Sequence, residues 1–256
     1  MMKKRIVVKV GSNVLTTAEG RIDLTRISAL VDQLVWLREQ GYEVILVSSG
    51  AGACGKTLLQ VKDPLDSVEQ RQLYCAVGQV KLMNLYFTLF REHNLHVGQV
   101  LTMKEDFERD EQYSNLKQCM EVMLHNNVIP IVNENDTVCV TELMFTDNDE
   151  LSGLVAKMLG AETLIILSNI NGLYDGNPAD PQSKVVRRVT STDDMSKYIQ
   201  TSKSSAGRGG MQSKYHTATM TAQNGIRVVI ANGKTEQILR NIFINPGETV
   251  YTEFVK

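Results

Sequence analysis

Two lysines near opposite ends of the sequence sit where a cation is costly unless it meets an anion. Lys9 interrupts the apolar run Ile6 to Val10 and is followed by Gly11, Ser12 and Asn13. A lysine inside an apolar strand needs a negative partner, and a glycine after it lets backbone N–H groups approach an anion closely. Lys214 closes the stretch Gly207, Arg208, Gly209, Gly210, Met211, Gln212, Ser213, ahead of a helical segment that contains Ala218 and Ala222. That places glycine amides and a lysine at or within one turn of a helix N-terminus, where unpaired N–H groups and the helix dipole favour phosphate. The bland alternatives are an edge strand with Lys9 in water and a plain loop before the helix. Taken together, two converging cations suit phosphoryl transfer, because charge spreading over the equatorial oxygens must be stabilised in place.

The next candidates are acidic and amide-bearing. The run Val128 to Val132 leads into Asn133, Glu134, Asn135 and Asp136, and after a short loop Thr146, Asp147, Asn148, Asp149 and Glu150 precede an amphipathic stretch. Asn and Asp are good helix caps, which accounts for part of the second cluster. Two clusters exceed what capping requires: carboxylates can orient lysines or an ammonium group, and amides can bind a carboxylate. A separate signal is GAGACGKT, Gly50 to Thr57, which matches GxxxxGK[ST] letter for letter after a strand. A P-loop enzyme also needs an aspartate at the end of a neighbouring apolar strand, whereas the candidate strands here end in Asn133, Ser168 and Asn232. The milder reading of the same residues is a Gly/Ala/Ser loop whose hydroxyls and amides hold a carboxylate or phosphate. Cys54, Cys75, Cys119 and Cys139 are too widely spaced for a CxxC pair and read as reduced, mostly buried thiols. His93, His96, His125 and His216 form no HExxH, and His93 with His96 marks the frayed end of a helix.

These residues must be positioned by strands and helices that the apolar pattern outlines. Strand-length runs recur at Ile6 to Val10, Val44 to Val47, Val97 to Leu101, Val128 to Val132, Thr163 to Leu167 and Arg227 to Ala231. Several are continuous rather than alternating, as in strands buried on both faces. Between them, Leu116, Cys119, Met120, Met123 and Leu124 follow helical spacing, and Leu151, Leu154, Val155, Met158 and Leu159 repeat it. Loops are expected at residues 16–23, 62–66, 136–148, 171–184 and 201–210, the last two rich in Gly, Pro, Ser, Asn and Asp. Alternating strands and helices predict an α/β protein with a largely parallel sheet covered on both sides by right-handed βαβ units. In such sheets ligands bind beyond the carboxyl ends of the strands, which is where the candidate residues lie.

A chain of 256 residues with 43% hydrophobic content can bury a large core. Its formal net charge of −2, without a run of five or six like charges, leaves no electrostatic footprint for nucleic acid or an anionic membrane. The apolar run near the N-terminus is cut by Gly11, Ser12 and Asn13, far short of a signal core or a membrane span. The expectation is a soluble cytoplasmic protein.

Several short motifs then occur in one order along nearly the whole chain. They are KVGSN from Lys9, ILVSSGA from Ile45, AVGQ from Ala76, VNENDTV from Val132, DNDELS from Asp147, NGLY from Asn171 and GGMQSK from Gly209. The set resembles the amino acid kinase family, in the branch whose acceptor is glutamate. The resemblance implies a three-layer α/β/α sandwich over residues 1–256, with an acceptor part over residues 1–160 and a nucleotide part over residues 161–256. It implies ATP and Mg²⁺ as cofactors, the ion held mainly by the ATP phosphates and not directly by protein. The implied reaction is phosphorylation of the side-chain carboxylate of L-glutamate to L-glutamyl 5-phosphate, the first step toward proline.

By motif, Lys9 and Lys214 would stabilise the transferring phosphoryl group and Asp149 would hold both lysines. Ser49, Gly50, Asn133, Asp136 and Asn148 would bind glutamate, with Asp136 suited to its ammonium group. Lys9, Gly11, Ser168, Asn169, Arg208, Gly209, Gly210, Met211 and Lys214 would line the nucleotide site. A homo-oligomer, dimer or tetramer, and feedback binding of proline are also implied. Two departures stand out. Ser168 and Asn169 replace the Thr-Asp of many relatives, and the chain ends at Lys256 after the strand-like GETVYTEFV, without the C-terminal PUA domain many relatives carry. The expectation is a catalytic domain standing alone. Other acceptors of the family (N-acetylglutamate, aspartate or carbamate), a P-loop NTPase using Gly50 to Thr57, and a non-catalytic ligand sensor are the competing readings.

Overall fold

A computed structural model describes residues 4–62, 64–139, 145, 147–190, 193, 195 and 210–256. All six expected strands form: β1 (Arg5–Val10), β2 (Glu43–Ser48), β3 (His96–Thr102), β4 (Val128–Glu134), β5 (Thr163–Ser168) and β7 (Arg227–Asn232). Two short strands, β6 (Arg188–Val189) and β8 (Tyr251–Phe254), extend the sheet, the latter inside the strand-like C-terminal segment. The order is β3-β4-β2-β1-β5-β7-β8-β6, parallel throughout except that β8 runs antiparallel to β7. β2 and β5 are buried along their whole length and β1 at every residue after Arg5. The continuous apolar runs thus reflect helices on both sheet faces. β3, at the edge, is only partly covered.

The helices are α1 (Ser12–Leu15), α2 (Leu24–Glu39), α3 (Ala51–Leu58), α4 (Ser67–Arg91), α5 (Asp110–His125), α6 (Asn148–Met158), α7 (Met211–Gln223) and α8 (Ile238–Ile244). α4 begins with a reciprocal cap. Oδ1 of Asp66 accepts from the amides of Val68 and Glu69, both at 2.8 Å, and Oε2 of Glu69 accepts from the amide of Asp66 at 3.0 Å. The helix ends at Arg91, so His93 lies in the turn beyond it, while His96 opens β3 instead of belonging to a frayed helix end. Cys54, Cys75 and Cys139 are buried as expected, but Cys119 is exposed on α5.

Two apolar clusters fill the layers on either side of the sheet. Ile6, Val8 and Val10 of β1 belong to the one that includes Leu34, Tyr86 and Phe90, and Val7 belongs to the one that includes Leu151, Val155 and Ala218. The three-layer α/β/α sandwich follows from this alternation. It also places Lys9, two residues after Val7, on the face covered by α6 and α7.

Candidate active site

β1 lies in mid-sheet, with Lys9 in register with Val47 of β2 on one side and Ile166 of β5 on the other. The edge-strand alternative for Lys9 is therefore excluded. Its side chain, only 6% exposed, reaches from the sheet to the start of α6, where Nζ meets Oδ1 of Asp149 at 2.6 Å. Lys214, in the first turn of α7, approaches from the other side and sets its Nζ 2.9 Å from Oδ2 of the same carboxylate. Asp149 is fully buried. Burial alone would raise its pKa, but the charges of Lys9 and then Lys214, with their hydrogen bonds, outweigh that and hold the carboxyl below its ordinary range. Two cations on one anion leave the trio with an excess positive charge, which an anionic ligand would neutralise.

Asp147 starts α6. Its Oδ1 accepts from the amides of Asp149 at 2.8 Å and Glu150 at 3.2 Å, so the capping expectation holds for this residue. Its Oδ2 is buried with no hydrogen-bond partner among the described residues. Burial, and then the charge of Asp149, raise its pKa against the smaller opposing effects of a hydrogen bond from the Ser213 side chain and the charge of Lys9. The two aspartates are pushed in opposite directions because only Asp149 sits directly between the ammonium groups.

On the β4 side, amides converge. Nδ2 of Asn148 donates to Oγ of Ser49 at 2.8 Å and to Oδ1 of Asn133 at 2.9 Å, and Nδ2 of Asn133 donates to Oε1 of Gln79 at 3.1 Å. Ser49, Gly50, Asn133, Asp136 and Asn148 all line one cleft of about 1550 Å³ that also contains Lys9 and Lys214. Gly50 has φ of 113°, a left-handed conformation that a side chain would strain, and it turns the chain from β2 into α3. Arg71 escaped the sequence reading, while Glu134 and Gln79 stood inside named motifs without a role of their own. Arg71 of α4 bonds through Nε to Oδ1 of Asp136 at 2.7 Å and through Nη2 to Oε2 of Glu134 at 2.8 Å. An arginine or glutamine on an amphipathic helix looks like any solvated residue, so the available signal was the AVGQ motif alone.

The other end of the cleft is lined by Gly11, Ser168, Asn169, Gly210 and Met211. A Cβ at Gly11 would lie 3.4 Å from Nζ of Lys9, in van der Waals contact with it. Ser168 ends β5, and at the end of β7 Asn232 donates to Oδ1 of Asn171 at 3.0 Å, tying down the next loop. Arg208 and Gly209 lie outside the described residues.

The Walker A letters fold differently from a phosphate loop. Residues 51–58 are already helical, so Gly55, Lys56 and Thr57 occupy the later part of α3 and not its start. Lys56 Nζ lies 5.9 Å from the centroid of the Tyr74 ring, and Oγ1 of Thr57 donates to the Cys54 carbonyl at 2.7 Å. Gly55 faces the backbone of Tyr74 on α4, so its missing Cβ permits helix contact instead of phosphate approach. A wrapped phosphate cradle is absent, and the P-loop reading fails on that geometry.

Comparison with known proteins places this geometry in a wider setting. The model of the amino acid kinase family matches residues 4–232. A glutamate 5-kinase of Bacteroides thetaiotaomicron is 57% identical over 251 residues, covering 98% of this chain and 70% of that protein. One of Chlorobaculum tepidum is 45% identical over 244 residues, covering 93% and 66%, so the chain spans about two thirds of that relative. One of Clostridium acetobutylicum is 40% identical over 249 residues, covering 95% and 92%. Among solved structures, carbamate kinase from Giardia lamblia bound to AMP-PNP superposes with a TM-score of 0.70 at 17% identity, covering 100% of this chain and 99% of that one. UMP kinase from Bacillus anthracis superposes with 0.68 at 16% identity, covering 99% and 96%. At such low identity these two structures speak for the fold alone.

Proposed function

The chain belongs to the amino acid kinase family, and from that premise we propose that it phosphorylates the side-chain carboxylate of L-glutamate with ATP, forming L-glutamyl 5-phosphate, the first step toward proline. The observation that carries the reading is the buried carboxylate of Asp149 holding Lys9 and Lys214 in the cleft that also contains the amide and carboxylate cluster of Asn133, Asp136 and Asn148. A ligand sensor would not need two lysines held on a buried carboxylate beside a binding cluster, which disfavours that reading.

ATP supplies the phosphoryl group, and Mg²⁺ on its phosphates offsets their charge. The residues fit an ion carried by the nucleotide, since both oxygens of Asp149 are taken by lysines. Asp147, which lines the cleft and has a buried Oδ2, would accept from the ion's hydration shell. No protein nucleophile is required, because the acceptor carboxylate is itself the attacking group and is ionised at neutral pH. Lys9 and Lys214 are fixed before the reaction, so stabilising the spreading charge costs little reorganisation. Asp149 acts by holding them in place, and its low pKa keeps it ionised while it does so.

Residues 1–160 would hold the acceptor and residues 161–256 the nucleotide, with Ser168, Asn169, Arg208, Gly209, Gly210, Met211 and Gly11 around the latter. Asp136 would take the α-ammonium of glutamate, which N-acetylglutamate lacks. Proline also carries an α-carboxylate and an ammonium, so feedback binding at the acceptor end belongs to the same reading, as do a homo-oligomer and a cytoplasmic location. Among the described residues no helix is long and apolar enough to cross a membrane.

The test is a panel of acceptors with ATP, Mg²⁺ and hydroxylamine, which traps an acyl phosphate as a hydroxamate. L-glutamate is expected to exceed N-acetylglutamate by at least about 100-fold in kcat/KM, since an unpaired buried charge costs several kcal/mol. Preference for N-acetylglutamate, aspartate or carbamate would remove the glutamate assignment and leave the family intact.

A further inference from the structure

Arg71 lies early in α4, far in sequence from the residues that would bind the acceptor, yet its side chain is 13% exposed and lines the acceptor end of the cleft. Its Nε and Nη2 both reach Oδ1 of Asp136, at 2.7 and 2.6 Å, while Nη2 also donates to Oε2 of Glu134 at 2.8 Å. The other oxygen of Glu134, Oε1, accepts from the backbone N–H of Phe145 at 3.0 Å, two residues before the Asp147 cap of α6. Beside Arg71, Nε2 of Gln72 donates to the Thr137 carbonyl at 2.8 Å. The start of α4 therefore grips the end of β4 and the turn after it at three places.

Glu134 at the end of β4 and Asp136 in the turn are near neighbours, and two carboxylates drawn together need a cation between them. The planar fork of a guanidinium holds both in fixed directions, which an ammonium on a flexible stem does not. The contacts from Nε and Nη2 of Arg71 to Asp136 fall on Oδ1 of the carboxylate. Asp136, which lines the cleft, is thereby pinned through one of its two oxygens.

We propose that Arg71 is a positioning residue for acceptor recognition: by fixing Asp136 through Oδ1 it aims Oδ2 at the α-ammonium of the amino-acid substrate. This rests on the glutamate reading given above. Its effect is on acceptor affinity and not on the phosphoryl-transfer step, because Arg71 is bonded to Asp136 and Glu134 while Lys9 and Lys214 are held independently by Asp149.

The experiment compares Arg71→Lys, Arg71→Met, Asp136→Asn and the double variant Arg71→Lys with Asp136→Asn, by steady-state kinetics on proteins shown to be folded by circular dichroism. Arg71→Lys keeps the charge and loses the fork, and it is expected to raise KM for glutamate about 10-fold while kcat and KM for ATP stay within about twofold. Arg71→Met should deepen the same effect, and if it does not fold the lysine variant carries the test. In the Asp136→Asn background the Arg71→Lys change should add less than about twofold, because two residues acting through one contact are not additive. An unchanged KM for glutamate in Arg71→Lys, a loss confined to kcat, or multiplicative losses in the double variant would each overturn the proposal. Absence of any glutamate phosphorylation by the wild-type protein would instead remove the function on which it rests, a result distinct from an active wild type indifferent to Arg71.

Discussion

At Asp149 each carboxylate oxygen is engaged by a different lysine, so neither lysine can drift without leaving a buried charge unpaired. That arrangement predicts which lysines matter. Lys9→Ala and Lys214→Ala should each lower kcat by about 10²- to 10³-fold at saturating substrates, the scale of losing one preorganised donor. Lys56→Ala should stay within about twofold of wild type, since Lys56 belongs to the last turn of α3 and lies over the Tyr74 ring. A collapse of kcat in Lys56→Ala with near-normal Lys9→Ala, in a steady-state assay of folded proteins, would reverse the assignment. Lys9, Asp149 and Lys214 were legible in the sequence because each breaks a local rule or exceeds it: a cation in a strand, more acids than a cap needs, a lysine after glycines. Arg71, Glu134 and Gln79 break no local rule, and their roles come from partners at least 50 positions away.

At the scale of elements, the contact between α3 and α4 sets where Ser49 and Arg71 stand relative to each other. Gly78 of α4 packs against the Ala51 carbonyl and the Gly55 amide of α3, leaving no room for a Cβ. A glycine inside an exposed helix would become more stable by about 1 kcal/mol on replacement with alanine. Here the sign is expected to invert: Gly78→Ala should cost about 1 to 3 kcal/mol through overpacking, read as a lower urea midpoint at unchanged m-value. A midpoint equal to or above wild type would show that the helices part easily. The strands themselves were readable to within one or two residues, because burial on both faces leaves an unbroken apolar run. The 25-residue α4 was not recognised as a unit, since its buried positions carry Cys75, Gly78 and Gln79 among the larger apolar residues and blur the helical stripe.

For the whole molecule, the buried trio ties stability to pH. Burial pushes the Asp149 carboxyl up, the two lysines more than reverse this, and the folded-state pKa lies below the ordinary 3.8. A depressed acid contributes stability above its unfolded-state pKa and loses that contribution as pH falls through the lower folded-state value. Asp147, whose pKa is raised, works with the opposite sign, favouring the folded state at low pH and giving that up as pH rises. Asp149→Asn strands two buried cations, so it should cost about 3 to 5 kcal/mol at pH 7. The gap in thermal stability between wild type and Asp149→Asn is expected to narrow once the pH drops below about 4. A gap constant from pH 7 down to pH 2.5 would show that the ionised carboxylate is not what stabilises the site. By itself the sequence determined the α/β class, the parallel sheet, most strand boundaries and Lys9, Asp149 and Lys214 as candidates, because period, burial and misplaced charge are local properties of a chain. The tertiary structure decided the rest: that β1 is central, that Lys9 shares the face of α6 and α7, that Gly55 separates helices instead of cradling phosphate, and that Arg71 bridges Glu134 and Asp136. Those outcomes depend on strand order and helix packing, which bring together groups that no spacing along the chain relates.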